Sequence, residues 1–182
     1  MQRHSRFRPY VFCMFALLLV GSPLLRAHTT TVGPRAAAEA THSLPFKLHG
    51  TATLAFTPVL DSNGQPTGKL LGHSLAPESG TATYLGHWTA DVPDFVLTPI
   101  TGEAGVFMAS HPVTYHAANG DLLFAVVSGT VNFNNGQVHA MVTWTGGSGR
   151  FAGAQGTDSE EGQISNPATG TLMFSIMGSI SL

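Results

Sequence analysis

Cysteine is nearly absent from this 182-residue chain, in which Cys13 is the only one. Cys13 lies inside an apolar run near the N-terminus, without the small residues that precede a lipidated cysteine. A chain cleaved after that run contains no cysteine at all. Disulfides and thiol chemistry are then excluded, and stability in an oxidising compartment must come from packing.

The first 27 residues show the order of regions typical of a signal peptide. Three arginines between residues 3 and 8 precede the apolar run 11–25, and Ala27 is a small residue at the expected cleavage point. A Gly-Ser-Pro sequence at 21–23 interrupts the run before it reaches the about 20 apolar residues of a membrane span. We expect a leader over residues 1–27 and a secreted or periplasmic protein, with an uncleaved anchor as the alternative.

Basic residues are scarce once the leader is set aside. Four Lys and Arg residues remain against ten Asp and Glu residues, a formal net charge of −6. So few cations cannot supply the phosphate contacts of a nucleic-acid interface, and the same deficit argues against anionic membrane surfaces. We expect no nucleic-acid partner and no stable membrane insertion after cleavage, while a homo-oligomer and a monomer both stay open.

Helical periodicity is also missing beyond the leader. Residues 28–43 have no sustained pattern and are predicted to form a flexible N-terminal tail. From residue 44 onward apolar and polar residues alternate, which is typical of strands with one buried face, and Asn-Gly pairs at 119–120 and 135–136 favour tight hairpins. The predicted strands cover residues 46–56, 69–75, 81–92, 106–117, 123–133, 137–144, 155–164 and 171–182.

These strands must either stack as two sheets or close on themselves. Gly50, Gly86, Gly129 and Gly178 fall mid-strand on the apolar face, where glycine is typical of a sharp bend or a close approach; the abundance of glycine in this chain is the alternative explanation. Pairing of the first strand with the last would remove both free edges. We predict a single antiparallel β-barrel of about eight strands over residues 44–182.

The glycine-rich stretch 143–156, TWTGGSGRFAGAQG, is the most particular segment. Its letters match a dinucleotide fingerprint, but no helix follows and no parallel βαβ pattern surrounds it, so we expect no cofactor. We interpret it as a structural turn in which glycines supply positive φ, the phenylalanine plugs one end of the core, and the arginine bonds turn carbonyls or pairs with an acid such as Asp158. The residues of this turn are Gly146, Gly147, Gly149, Arg150, Phe151 and Gly153.

The segment GGSGRFAGAQG resembles the GG[ST]G-x-F-x-x-A-x-G segment of dirigent proteins and, in looser form, of allene oxide cyclases. The similarity extends to GTATYLGHWT, AANGDLLFAVVSGT and GTLMFSIMGSISL, which resemble pieces of bacterial secreted proteins of unassigned function with such barrels. The resemblance implies an eight-stranded antiparallel barrel. No residue here matches the catalytic carboxylates or pocket residues of those families, so the resemblance transfers no activity.

Eight histidines follow the leader, but no pair has the spacing of a zinc site. His49, His87 and His139 share the polar parity on separate predicted strands. A metal site assembled across the sheet is therefore an alternative to solvated imidazoles, and we expect no metal.

Three aromatic residues, Tyr84, Trp88 and Trp144, fall on the apolar parity and either line a cavity for an apolar ligand or form plain core. The acids are scattered, with no recognisable catalytic set. Two functions stay open: an exported barrel that binds a small apolar molecule or serves as a structural component, and an isomerase or cyclase barrel of the dirigent and allene oxide cyclase kind. An enclosed lumen with an inward carboxylate favours the enzyme, and a filled lumen excludes it.

Overall fold

The computed structural model describes residues 42–165 and 169–182, so the predicted leader and residues 28–41 of the predicted tail lie outside the described residues. Within these ranges no helix is long and apolar enough to cross a bilayer. A single 3₁₀ turn spans Gly149–Phe151. The strands are β1 (Ser43–Leu60), β2 (Pro66–Ser74), β3 (Glu78–Ala82), β4 (Gly86–Asp91), β5 (Phe95–Pro99), β6 (Val106–Ala117), β7 (Leu122–Asn132), β8 (Gln137–Gly147), β9 (Gly156–Ile164) and β10 (Thr169–Ser181).

The sheet closes on itself because its first and last strands pair. β1 and β10 run antiparallel from Ser43 opposite Ser181 to Ala55 opposite Thr169. The resulting ring of eight strands has the order β1-β3-β4-β6-β7-β8-β9-β10, with all pairings antiparallel. The predicted antiparallel barrel is confirmed, and so is the pairing that closes it and leaves the ring without a free edge.

Two walls of the barrel are interrupted strands. β2 and β3 both pair with β1, and β4 and β5 both pair with β6, while β2 also pairs with β5 and β3 with β4. The breaks fall at residues 75–77 and 92–94. β2 and β3 thus share one position in the wall, and β4 and β5 share the next. The chain therefore fills the eight positions of the ring in sequence order.

The strand predicted over residues 81–92 is wrong, since this stretch is a hairpin between β3 and β4. Tyr84 has φ 66° and Gly86 has φ 70°, and together they reverse the chain. The alternation of apolar and polar residues continues through the turn, so a period of two did not reveal it. β5 lies between the strands predicted over residues 81–92 and 106–117, where no strand was predicted.

One end of the barrel is closed by two fully buried side chains, Phe151 and Leu85. Phe151 follows β8 and Leu85 lies in the hairpin between β3 and β4, so both enter from loops at the same end of the ring. The prediction that Phe151 turns back to plug the core is confirmed. At the opposite end, where β1 finishes and β8 begins, three half-buried rings meet: Phe133 contacts Phe56 and Phe107 edge-on, at ring-centre distances of 5.0 Å and 5.3 Å.

The glycine-rich turn matches its prediction in part. Gly146, Gly149 and Gly153 have φ values of 124°, 56° and 82°, whereas Gly147 does not have positive φ. Gly147 is needed for a different reason, because a Cβ there would overlap the carbonyl oxygen of Leu122. The turn therefore combines three left-handed positions with one close backbone approach.

Arg150 pairs with an acid, as one of the two expectations had it, but the acid is Asp121 and not Asp158. Its Nε lies 3.4 Å from Oδ2 of Asp121, and its guanidinium carbon lies 5.1 Å from the centre of the Phe151 ring. Asp158 is instead buried inside the barrel. Arg150 thus ties the glycine-rich turn to the hairpin between β6 and β7.

Three of the four predicted mid-strand glycines, Gly50, Gly129 and Gly178, lie within strands and leave room for neighbours inside the barrel. A Cβ at Gly50 would meet the ring of Trp88, and one at Gly129 would overlap Ala140 and the backbone of β8. The close approach predicted for these positions is therefore present. Gly86 differs, since it belongs to the hairpin turn.

Gly149→Ala is expected to lower the free energy of unfolding by about 2 kcal/mol or more, because it adds a clash with the Asp121 carboxylate to the strain of positive φ. Gly153→Ala is the matched control: it has the same backbone strain but open space around the new methyl group, and should cost about 1 kcal/mol. Denaturant unfolding measures both. Equal losses in the two variants would contradict the close contact at Gly149.

Candidate functional site

The barrel encloses a cavity of about 60 Å³ toward the end opposite Phe151. The strands contribute alternate residues to it, and most of these are apolar side chains or glycine. Small residues keep the space open, notably Ala109 on β6, Gly129 on β7 and Ala140 on β8. The polar residues that line it are Glu78, His111, Tyr115, Thr130 and Glu160.

Two acids therefore face an otherwise apolar lumen. Glu78 begins β3 at the break after β2 and is 8% exposed, while Glu160 lies in the middle of β9 and is 6% exposed. No described Lys, Arg or His nitrogen lies within ion-pair distance of either carboxyl group. A buried carboxylate without a cation is costly, so both groups favour the protonated form.

The pKa values of the two acids follow from this environment. Burial raises the pKa of Glu78 to about 8, and the negative charge of Glu160 adds to the shift. Burial, with a smaller effect from the charge of Glu161, raises the pKa of Glu160 to about 7. A negative charge on Glu160 therefore makes ionisation of Glu78 less favourable, and the two acids titrate as a coupled pair.

Tyr115 lies beside this pair. The register places Glu78 opposite Ala90 and Ala90 opposite Tyr115, so the three residues occupy one level on β3, β4 and β6. Tyr115 is 1% exposed, and burial, assisted by the charges of Glu160 and Glu78, raises its pKa well above the usual range. Its phenol therefore stays protonated at neutral pH.

His111 faces the same cavity with an uncharged ring. Burial lowers its pKa to about 4, and its buried Nδ1 has no hydrogen-bond partner among the described residues. The imidazole stacks on Phe95 with ring centres 4.3 Å apart and planes 18° apart. His111 thus offers a neutral nitrogen to the lumen rather than a positive charge.

The stacked pair of Phe95 and His111 forms part of the cavity wall at a gap in the backbone ladder. β6 pairs with β5 at residues 107–108 and with β4 at residues 114–117, so residues 109–113 have no ladder partner on that side. A shallow groove lies outside the gap and is lined partly by Leu75, Pro77 and Pro112. Here side chains, not hydrogen-bonded strands, separate the lumen from solvent.

The three aromatic residues predicted to bind a ligand lie elsewhere. Tyr84 is 36% exposed in the hairpin turn, whereas Trp88 and Trp144 are buried. Both tryptophans pack edge-on against Tyr115, at ring-centre distances of 5.3 Å and 5.8 Å, and neither lines the cavity. The two tryptophans belong to the hydrophobic core next to Tyr115, which does line the cavity.

Trp144 also fixes the third buried acid. Its Nε1 donates a 2.9 Å hydrogen bond to Oδ2 of Asp158, and the backbone nitrogen of Ser179 donates a 2.7 Å bond to Oδ1. Asp158 is therefore satisfied inside the barrel wall, in contrast to the two glutamates. It has a structural role between β8, β9 and β10.

The structure does not bring His49, His87 and His139 together as a metal site. No group of three or more His, Cys, Asp or Glu side chains suited to a metal occurs among residues 42–165 and 169–182. His139 pairs with Glu161 on the outer face, and His49 and His87 flank a shallow outer depression. The alternation of polar and apolar residues correctly predicted that these three histidines face solvent.

The sequence analysis missed both cavity acids. Glu78 lies in the segment Pro-Glu-Ser-Gly, whose composition is typical of a turn, and it is buried only because β3 begins there. Glu160 alternates in phase with the buried Ile164, which could have predicted that it faces inward. The neighbouring Glu161 left it ambiguous which of the two acids does so. Acids that are scattered along the sequence thus meet at one cavity in the structure.

Comparisons with models of known protein families and with curated proteins find no match to this chain. The resemblance to dirigent proteins and allene oxide cyclases therefore stays a prediction from the residues quoted above.

Stability should fall as pH rises past neutral, because the unfolded chain ionises Glu78 and Glu160 near their ordinary pKa of 4.5 while the folded chain holds the protons until about 8 and 7. Raised folded pKa values stabilise at low pH and lose that effect as pH increases. We expect a loss on the order of 2 kcal/mol between about pH 6.5 and 8.5, a window in which folded His111 stays neutral and unfolded His111, with a pKa of 6.5, offsets only a small part of the loss.

Glu78→Gln should remove much of this slope, since an amide cannot ionise, whereas Glu103→Gln in the exposed turn between β5 and β6 should leave it unchanged. Denaturant unfolding at the two pH values measures the difference. Parallel pH profiles for Glu78→Gln and the wild-type protein would show that Glu78 is not buried in its protonated form.

Proposed function

We propose that this protein is an exported barrel that binds one small, mostly apolar molecule in its lumen, with a polar group of the ligand against Glu78 and Glu160. The observation that carries the proposal is the apolar cavity with two inward, unpaired carboxyl groups. Apolar cavities with a few convergent polar groups and shifted pKa values are typical of binding sites. The proposal replaces Tyr84, Trp88 and Trp144 with the cavity residues.

The apolar part of the ligand would contact the apolar side chains that line the cavity. Leu54 and Phe56 from β1, and Leu172 and Phe174 from β10, form one side of this surface. Burying such surface favours binding by about 25 cal/mol for each Å² removed from water. A wholly polar ligand would forgo this contribution.

The cavity volume limits the size of the ligand. A cavity of about 150 Å³ accommodates benzene, and this one measures about 60 Å³. A larger ligand requires movement of side chains, and the stacked pair of Phe95 and His111 at the gap beside β6 is the part of the wall not held by a strand ladder. We propose this gap as the route into the lumen.

Acid–base isomerisation or cyclisation is the second candidate function. The observation that favours it is the pair of inward acids at one cavity, whose pKa values are raised toward neutrality and of which the charge of Glu160 opposes ionisation of Glu78. One carboxylate and one carboxylic acid facing the same substrate form a base and an acid with suitable pKa values. Tyr115 would add a neutral hydrogen-bond donor.

Native mass spectrometry of the protein purified from the cells that produce it tests the binding proposal. We expect a small organic molecule at about one per chain. Ala140→Leu, which fills the cavity, should lose it, while Met141→Leu on the adjacent outward position should retain it. Thermal melts establish that both variants are folded.

A wild-type protein that carries no organic molecule, and whose lumen takes up neither xenon nor small alcohols, would overturn the proposal. A stoichiometric zinc or iron ion in place of an organic ligand would do the same.

A further inference from the structure

The part of the protein that the structure describes supplies no positive group that would balance the negative charge of an ionised Glu78 or Glu160 in the lumen. Lys47, Lys69 and Arg150 are the only Lys and Arg residues in the described part of the chain, and none lines the cavity. Arg150 is paired with Asp121 on the surface. His111 is the one basic group at the cavity, and its ring is held neutral by burial.

The cavity also presents aromatic rings to its contents. Tyr115, Phe56, Phe95 and Phe174 line it together with the two acids. Aromatic faces attract cations, with a larger effect where water is excluded. The carboxyl groups and the rings therefore favour the same kind of ligand, one that brings a positive charge on an apolar skeleton.

We propose that the lumen binds a small hydrophobic ammonium ion, with the ammonium group between Glu78 and Glu160 and its alkyl part against the apolar lining. This inference rests on the proposed binding function and names its ligand class. An ammonium ion donates three hydrogen bonds and accepts none, which matches two carboxylates that lack partners in the described protein. It also supplies the charge whose absence makes their ionisation unfavourable.

The pH dependence of binding separates this ligand class from a neutral one. The titratable groups that face the site are Glu78, Glu160, Tyr115 and His111. Tyr115 keeps its proton and His111 stays neutral between about pH 6 and 8.5, so the two glutamates are the groups that change. Ammonium binding should strengthen as they ionise, whereas a neutral hydroxyl ligand gains nothing from their charge.

Isobutylammonium and isobutanol are suitable probes, since they share a carbon skeleton and have five non-hydrogen atoms each. Ligands of this size bind in the millimolar to micromolar range at best. Titration followed by protein NMR at about pH 6 and pH 8.5 should show affinity for isobutylammonium rising at least about tenfold, the effect of one pKa unit. Affinity for isobutanol should stay constant or fall.

Glu78→Gln and Glu160→Gln should each abolish most of that increase, while Glu103→Gln, in the exposed turn between β5 and β6, should preserve it. Loss of the increase without loss of isobutanol binding shows that the variant lumen is intact. Weaker ammonium binding in the two glutamine variants would not reflect unfolding, because both variants are expected to be at least as stable as the wild-type protein above neutral pH.

Equal affinity for the two probes at both pH values would overturn the ammonium proposal and leave small-molecule binding intact. Ammonium binding that is unchanged in both glutamine variants would place the ion elsewhere and also overturn it. Failure of both probes to bind at either pH would count against the lumen as a binding site altogether, and thus against the proposed function.

Discussion

Closure of the sheet through the pairing of β1 with β10 is the constraint on which the other features depend. Once the ring is closed, each strand has one face toward solvent and one toward a lumen that eight strands just suffice to surround. Residues of one parity are forced inward whether or not they are apolar. Glu78, Asp158 and Glu160 are buried for this reason and not because their own chemistry favours burial.

The lumen is packed at one end and keeps a small cavity toward the other because side-chain volume is unevenly distributed along the strands. Trp144 packs edge-on against Phe46 and Tyr115, and Phe151 closes that end behind them. Toward the other end the inward positions include Ala140 and Gly129, which face each other across β7 and β8 and cannot meet the opposite wall. Close packing at one end thus coexists with a cavity at the other.

The three buried acids illustrate two ways of accommodating a carboxyl group in a barrel. Asp158 accepts hydrogen bonds from Trp144 and Ser179 and so contributes to the packed wall. Glu78 and Glu160 face the cavity without such partners and with raised pKa values, a condition that lowers the stability of the fold as pH increases. Residues that weaken a fold in this manner are typical of functional sites, where the missing partner is the ligand.

The class of the fold could be predicted from the amino-acid sequence alone. Alternation along the strands, the Asn-Gly hairpins and the matching first and last segments together predicted a closed antiparallel barrel. The positive φ of Gly149 and the burial of Phe151 were also readable, because they follow from turn chemistry within one segment. The cavity acids could not be predicted, because they meet only in the closed ring. Glu78 and Glu160 are 82 positions apart on strands that are not neighbours, and what brings them to one cavity is the closure of the ring. The hairpin at Tyr84 was hidden for the same reason: alternation records which face a residue occupies, but not where the chain turns back or which residues meet across the lumen.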